Sequence, residues 1–277
     1  MRTERKHTLA DQSCVVVYEW KADQPKAVVF LVHGLGEHAG RYDHVAAALN
    51  RAGYSLTGFD HPGHGQSEGV RGHISSYDVV FDLIAQLRHE AAKQYPGLPQ
   101  FVYGHSMGGS FVLYYLYKRQ PKIAGAIVTS PGLGTADPVP AWKTALGKVL
   151  YNLAPSFQMD NGLKREGLAR DPAVVAAYNA DPLVHGKISA RLALDMLGHG
   201  REMIADAGAF PHVPLLLMQG SKDMLVSPPM TDQFAKGFKG DLTYKVWDGM
   251  YHELHNEPEK QQVLDTIAGW LDQHMPG

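Results

Sequence analysis

The sequence predicts an α/β fold: a mostly parallel central sheet, flanked by helices on both faces and interrupted by a helical insertion. Three observations carry this. Short apolar runs rich in β-branched and aromatic residues alternate with amphipathic helical patterns along most of the chain. The alternation stops between Pro131 and about Phe210. A glycine-flanked serine, Gly104-His105-Ser106-Met107-Gly108, stands between one strand pattern and the helical pattern after it.

The strands are expected at 14–19, 27–32, 54–59, 101–103, 123–129 and 215–218, with the more polar 242–247 as a seventh. Helical patterns fall at 42–51, 77–94, 109–119 and 258–274. A strand–helix alternation of this kind implies a parallel sheet covered on both sides. The gap is too long for a structureless loop in a compact domain. It is therefore read as a structured insertion at 132–208 in a core made of 1–131 and 209–277. Within it, Trp142, Ala145, Leu146, Val149, Leu150 and Leu153 recur at offsets of three and four, one face of a helix. That stripe suits packing on the core, or a wall facing substrate built from Trp142, Leu146, Val149 and Leu150. Further helices are expected at 172–178 and 189–205.

Composition excludes several function classes. The chain has 277 residues, 44% hydrophobic and 19% charged, the balance of an ordinary folded protein. With a formal charge of −2 and no Lys/Arg-rich run, it has no positive field for a polyanion, so nucleic acid is not an expected partner. The lone Cys14 cannot form an internal disulfide and is expected as a small buried side chain. The N-terminus lacks a signal-peptide core, and no run reaches the ~18 apolar residues of a membrane span. The protein is read as cytoplasmic, touching membranes only at their surface to collect substrate. The sequence specifies no oligomeric state.

The chemistry starts at Ser106. A strand that turns abruptly into a helix favours glycine on either side of the apex, and it holds the serine out at the carboxyl end of the sheet. The helix N-terminus favours the oxyanion formed when the hydroxyl attacks a carbonyl, and the Met107 N–H would donate to it. The second donor is expected from His33-Gly34-Leu35-Gly36, after the first parallel strand, as the N–H of Leu35. A serine hydroxyl needs a base, and the base an oriented acceptor. Asp223 ends the turn Gln219-Gly220-Ser221-Lys222-Asp223 after an apolar strand and is better placed as the acid than Asp195, Asp241 or Asp248. The loop 247–255 offers His252 and His255. His252 lies nearer the strand end and is favoured as the base, leaving His255 as a solvated surface side chain. Fifteen histidines raise the question of a metal. His252 and His255 are three apart on a loop, and His61-Pro62-Gly63-His64 reads as a turn, so metal catalysis is not expected and no cofactor is needed.

These residues resemble the monoacylglycerol lipase and lysophospholipase family of the α/β-hydrolase superfamily. The matching strings, in order, are His33-Gly34-Leu35-Gly36-Glu37-His38, Gly40-Arg41-Tyr42, Phe59-Asp60-His61-Pro62-Gly63-His64-Gly65-Gln66-Ser67-Glu68-Gly69 and Gly104-His105-Ser106-Met107-Gly108-Gly109. They continue with Tyr178-Asn179-Ala180-Asp181-Pro182-Leu183, Gln219-Gly220-Ser221-Lys222-Asp223 and Tyr251-His252. The resemblance implies an α/β-hydrolase fold with a helical cap at 132–208 whose apolar face meets lipid. It also implies a triad of Ser106, Asp223 and His252, and an oxyanion hole from the N–H groups of Leu35 and Met107. The preference for His252 over His255 rests partly on it.

The expected activity is hydrolysis of monoacylglycerols to fatty acid and glycerol through an acyl-enzyme on Ser106. A lysophospholipase or a general short- or medium-chain carboxylesterase would use the same residues. A dehalogenase or epoxide hydrolase on this fold would need a carboxylate in place of Ser106. A non-catalytic ligand-binding protein on the same scaffold is the reading of another class, and it would be free to lose part of the triad.

Overall fold

The computed structural model describes residues 2–276. Its strands are β1 (Arg2–Thr8), β2 (Cys14–Trp20), β3 (Ala27–Val32), β4 (Tyr54–Phe59), β5 (Gln100–His105), β6 (Gly125–Thr129), β7 (Gln158–Asp160), β8 (Lys187–Ser189), β9 (Leu215–Gly220) and β10 (Leu242–Trp247). Its helices are α1 (Asp43–Arg51), α2 (Tyr77–Gln94), α3 (Met107–Arg119), α4 (Ala141–Leu153), α5 (Pro172–Ala180), α6 (Ala190–Ala205), α7 (Pro228–Gly237) and α8 (Lys260–Gln273). Eight strands form one sheet in the order β1-β2-β4-β3-β5-β6-β9-β10, and β7 pairs with β8 separately. The pairs β1–β2 and β2–β4 are antiparallel, and the other neighbours in the large sheet run parallel. This is the expected α/β-hydrolase architecture.

β3 shows why its sequence is apolar without a break. Val28, Phe30 and Val32 join one core with Leu83 and Ile84 of α2 and Phe111 and Val112 of α3. Ala27, Val29 and Leu31 join the other, with Val45 and Leu49 of α1 and Ile267 and Leu271 of α8. A strand between two helical layers has no solvent face. Each such side chain, fully buried, contributes roughly 1.5–3 kcal/mol relative to exposure.

Elements absent from the sequence reading have little apolar signal. β1 is charged and mostly exposed, and its ladder to β2, from Arg2 opposite Trp20 to Thr8 opposite Cys14, is what makes it a strand. Its Arg, Lys and Glu side chains guard the sheet edge against pairing with another chain. β7 and β8 are three residues each, too short for periodicity. α7 starts on Pro228-Pro229, a pair that suits only a first helical turn. Cys14 is half-buried, with Sγ 3.9 Å from Thr8 Oγ1, because it sits beside that edge.

β3 lies between β4 and β5, the next two strands in the sequence, so the winding reverses there and opens a crevice at the carboxyl ends of β3 and β5. After β6 the chain leaves the sheet, forms α4, β7, α5, β8 and α6, and returns at β9. Helix α4 packs on α6 through Gly147, whose missing Cβ would lie 3.6 Å from Leu194, and through Tyr151, whose hydroxyl donates to Asp195 at 3.0 Å. The apolar stripe is on the other side of α4. Trp142 is 65% exposed and Leu153 80%, with Leu146 and Val149 about half exposed. Packing of that stripe on the core is therefore not what the structure has: small Gly147 lets the opposite face approach α6 instead.

Candidate active site

Ser106 is the single residue between β5 and α3, with φ 57° and ψ −120°. A non-glycine residue there costs about 1–3 kcal/mol and must be held by its surroundings. Its N–H donates to the Thr129 carbonyl at 3.0 Å, and its carbonyl accepts from Ser110 N–H at 3.1 Å and Gly132 N–H at 3.0 Å. The flanking glycines are needed because backbone meets backbone. A Cβ on Gly104 would lie 2.4 Å from the Gly108 carbonyl oxygen, and one on Gly108 would lie 1.9 Å from that of Val32. The sequence reading ended this strand at Tyr103. The ladder continues to His105, which pairs with Thr129.

The loop after β3 comes up against this turn, so that a Cβ on Gly34 would lie 3.2 Å from Ser106 Cβ. Two side chains hold Gly34. His61 N–H donates to His33 Nε2 at 3.1 Å, which makes that nitrogen an acceptor and puts the proton on Nδ1. His33 Nδ1 then donates to the Gly34 carbonyl at 2.8 Å, while Gly34 N–H donates to Glu37 Oε1 at 2.6 Å. The Gly34 carbonyl and the Leu35 N–H share one planar peptide and point opposite ways, so His33 also sets the direction of the Leu35 N–H. Neither Leu35 N–H nor Met107 N–H meets an acceptor among the described residues. Met107 is the first residue of α3, where free N–H groups and the helix dipole favour an anion.

His252 and Asp223 come together across the ends of β10 and β9, with Nδ1 2.8 Å from Oδ2 and both side chains buried. Asp223 Oδ1 also accepts from Leu225 N–H at 2.9 Å and Val226 N–H at 3.1 Å, and Oδ2 from Gln219 Nε2 at 2.9 Å. Burial pushes the Asp223 carboxyl up, but the His252 ring and these hydrogen bonds outweigh it and hold it below the usual carboxylate range. Burial pushes His252 down, and the Asp223 charge, aided by Glu253 and Glu37, carries it above the ordinary histidine value. Both shifts favour imidazolium beside carboxylate. The Ser130 hydroxyl donates to the His252 carbonyl at 2.8 Å, so the consecutive residues Thr129 and Ser130 hold Ser106 and His252 respectively. Ser106 Oγ and His252 Nε2 have no hydrogen-bond partner among the described residues, and neither is a fully buried atom.

The other candidate carboxylates lie elsewhere. Asp195 is on α6 and engaged by Tyr151, Asp248 accepts from Ser221 Oγ at 3.0 Å, and Asp241 precedes β10. His255 is not the solvated side chain expected. It is fully buried, its ring 4.7 Å from that of Tyr42 and 4.9 Å from that of His105, and burial holds its pKa far below the ordinary value. The short helical turn 254–256 folds it inward.

Arg41 and Glu37, from the motif strings, and Glu253, from the loop of His252, form a buried ionic group beside His252. Arg41 meets Glu253 through two parallel hydrogen bonds of 2.7 and 2.8 Å and also pairs with Glu37. The fork holds the Glu253 carboxyl far down against its burial, while burial keeps Glu37 raised. The signal for it was three charged residues placed within glycine-rich or histidine-bearing turns. His33, His61 and His64 cluster behind the loop that carries Leu35, with the His61 and His64 ring centroids 4.2 and 5.7 Å from that of His33. Among the described residues no group of three or more His, Cys, Asp or Glu has metal-holding geometry. Of the expected substrate wall, Trp142, Leu146 and Val149 are exposed and Leu150 is half-buried.

Residues 23–259 match the family described as serine aminopeptidase, S33. The chain is 39% identical to a monoacylglycerol lipase of Mycolicibacterium smegmatis, over 99% of each chain. It is 34% identical to phospholipase YtpA of Bacillus subtilis, over 94% of this chain and 100% of that one. The crystal structure of Paleococcus ferrophilus monoacylglycerol lipase superposes with a TM-score of 0.85 at 35% identity, covering 93% of this chain and 99% of that one.

Proposed function

The chain belongs to the serine-hydrolase family described as serine aminopeptidase, S33, and we propose that it hydrolyses monoacylglycerols to fatty acid and glycerol. The observation that carries the substrate is the 39% identity to a monoacylglycerol lipase across 99% of both chains. In the proposed mechanism, His252 Nε2 takes the Ser106 proton as Oγ attacks the ester carbonyl. The Leu35 and Met107 N–H groups receive the oxyanion, each worth roughly 3 kcal/mol of transition-state stabilisation. Collapse expels glycerol, which takes the proton back from His252. Water, deprotonated by the same nitrogen, then attacks the acyl carbonyl, and the fatty acid leaves as His252 returns that proton to Ser106 Oγ. Asp223 orients the ring and stabilises its charged form.

Residues 132–208 are the cap in this reading. The exposed stripe of Trp142, Leu146 and Val149, with Leu150 at its border, is the face that meets lipid at a membrane surface while the protein collects its substrate. No helix among the described residues is long and apolar enough to cross a membrane. Phospholipase YtpA supports a second reading, a lysophospholipase acting through the same residues. Rates on monoacylglycerol, lysophosphatidylcholine and nitrophenyl esters of graded chain length separate the two. Monoacylglycerol is expected to be the best of them, and a clear preference for the phospholipid would replace the first reading with the second.

A further inference from the structure

Glu257 is a fully buried carboxylate that the mechanism above does not use. A buried charge is costly unless it is paired and hydrogen-bonded, so its partners indicate what it does. Its Oε1 accepts the backbone N–H of Tyr251 at 2.6 Å. Its Oε2 accepts Arg170 Nε at 2.8 Å and Arg170 N–H at 3.4 Å. Arg170 also reaches Glu259.

The next two N–H groups of the same loop are taken by the same stretch of chain. His252 N–H donates to the Gly167 carbonyl at 3.4 Å, and Glu253 N–H to that of Leu168 at 2.7 Å. Three consecutive N–H groups centred on His252 therefore end on residues 167–168 or on the carboxylate that Arg170 holds. The other side of this stretch touches the loop of Asp223. A Cβ on Gly167 would lie 2.7 Å from Leu225 Cδ1, and Leu168 packs with Leu225 in one small buried cluster. Residues 167–170 are thus wedged between the loop that carries Asp223 and the loop that carries His252.

We propose that Arg170 and Glu257 are positioning residues, which lock this wedge to the His252 loop and so set the imidazole over Ser106. The inference rests on the reading of His252 as the base. It further implies that this part of the insertion stays fixed during turnover, so any opening of the cap must leave residues 167–170 in place.

The test compares wild type, Arg170→Met, Arg170→Lys and Glu257→Gln by the rate constant of labelling with a fluorophosphonate. The amplitude of labelling reports how much protein is folded, and the rate constant reports how well the base serves the serine. KM and kcat on a short, soluble nitrophenyl ester are measured alongside. In Arg170→Met the labelling rate constant and kcat are expected to fall about tenfold or more, the scale of a misplaced catalytic group, with KM little changed. Arg170→Lys should recover most of the loss. Glu257→Gln keeps an acceptor but loses the charge, and it gives the same reading if the methionine variant does not accumulate. Wild type that labels readily, with an unchanged rate constant in the variants or a loss that lysine does not restore, overturns the positioning role alone. Wild type that does not label overturns the triad and this role with it.

Discussion

His252 Nδ1 lies 2.8 Å from Asp223 Oδ2, and neither group has appreciable contact with water. Burial alone would suppress both charges, yet each is shifted toward its charged form, so the attraction between them outweighs desolvation at this site.

That balance sets the acid limb of the pH profile. With His252 as the proposed base, the ring must be neutral to take the proton, so activity is expected to fall as pH drops through its raised pKa. The groups acting on the ring are Asp223, Glu253 and Glu37, which raise it, and the neutral His105 ring 4.8 Å away. Asp223→Asn removes the largest raising charge. The limb should move to lower pH, with kcat down by about 10⁴ from the lost ring orientation. A limb in kcat/KM that does not move in this variant contradicts the assignment.

His252 and His255 should separate in their effects. His252→Ala removes the proposed base, and Ser106→Ala the proposed nucleophile; both should abolish turnover, the latter with no fluorophosphonate labelling. His255→Ala leaves a hole between Tyr42 and His105, so it should lower the melting temperature while folded protein still labels. Labelling that survives in His252→Ala and fails in His255→Ala would move the base.

Acid should unfold the protein steeply. His33, His61, His64, His105 and His255 are buried, and burial holds each folded pKa below the ordinary histidine value, that of His105 at about 3. The unfolded chain takes up these protons first, so their contribution is intact above pH 6.5 and is lost below it. Stability is therefore expected to fall between pH 7 and pH 5, as the unfolded chain takes up protons that the buried rings refuse. Denaturant titrations across that interval measure the slope, and a midpoint that stays flat would contradict neutral burial of these rings.

The exposed stripe on α4 should matter only where substrate is in a membrane. Replacing Trp142 and Leu146 together by serine is expected to cut hydrolysis of monoacylglycerol in vesicles several-fold and to leave a short soluble ester nearly unaffected. Both variants of the assay use the same triad. Equal losses on the two substrates would mean that the stripe supports the fold and not lipid contact.

Glycines in this chain differ in why they are there. Gly108→Ala would force a Cβ to 1.9 Å from a backbone oxygen, and no folded protein is expected. Gly198, inside α6, has nothing within 4 Å of where its Cβ would be, so Gly198→Ala should stabilise the protein by about 0.5–1 kcal/mol. Thermal melts of the two variants decide both.

The legible parts of this protein are those whose cause is local. The apolar runs at 27–32 and 54–59 have the bounds of β3 and β4, since a strand sandwiched between helices must be apolar along its length, and the more polar run at 242–247 has those of the edge strand β10. The turn at Ser106 is written in its glycines, because a close backbone approach leaves room for no other residue. β5 runs two residues past the expected end at Tyr103, because Gly104 and His105 are still paired with β6.

What only the tertiary structure decided depends on contacts between distant segments. A strand as polar as β1 exists because β2 offers it a ladder. His255 is buried because Tyr42 and His105, far away in sequence, close over it. The tautomer of His33 follows from an N–H at His61, and the wedge at 167–170 from carbonyls that happen to face the His252 loop. Periodicity and spacing report which residues can share a face or a turn. Hydrogen-bond partners and burial are set by where the whole chain brings them, and that was read only from the fold.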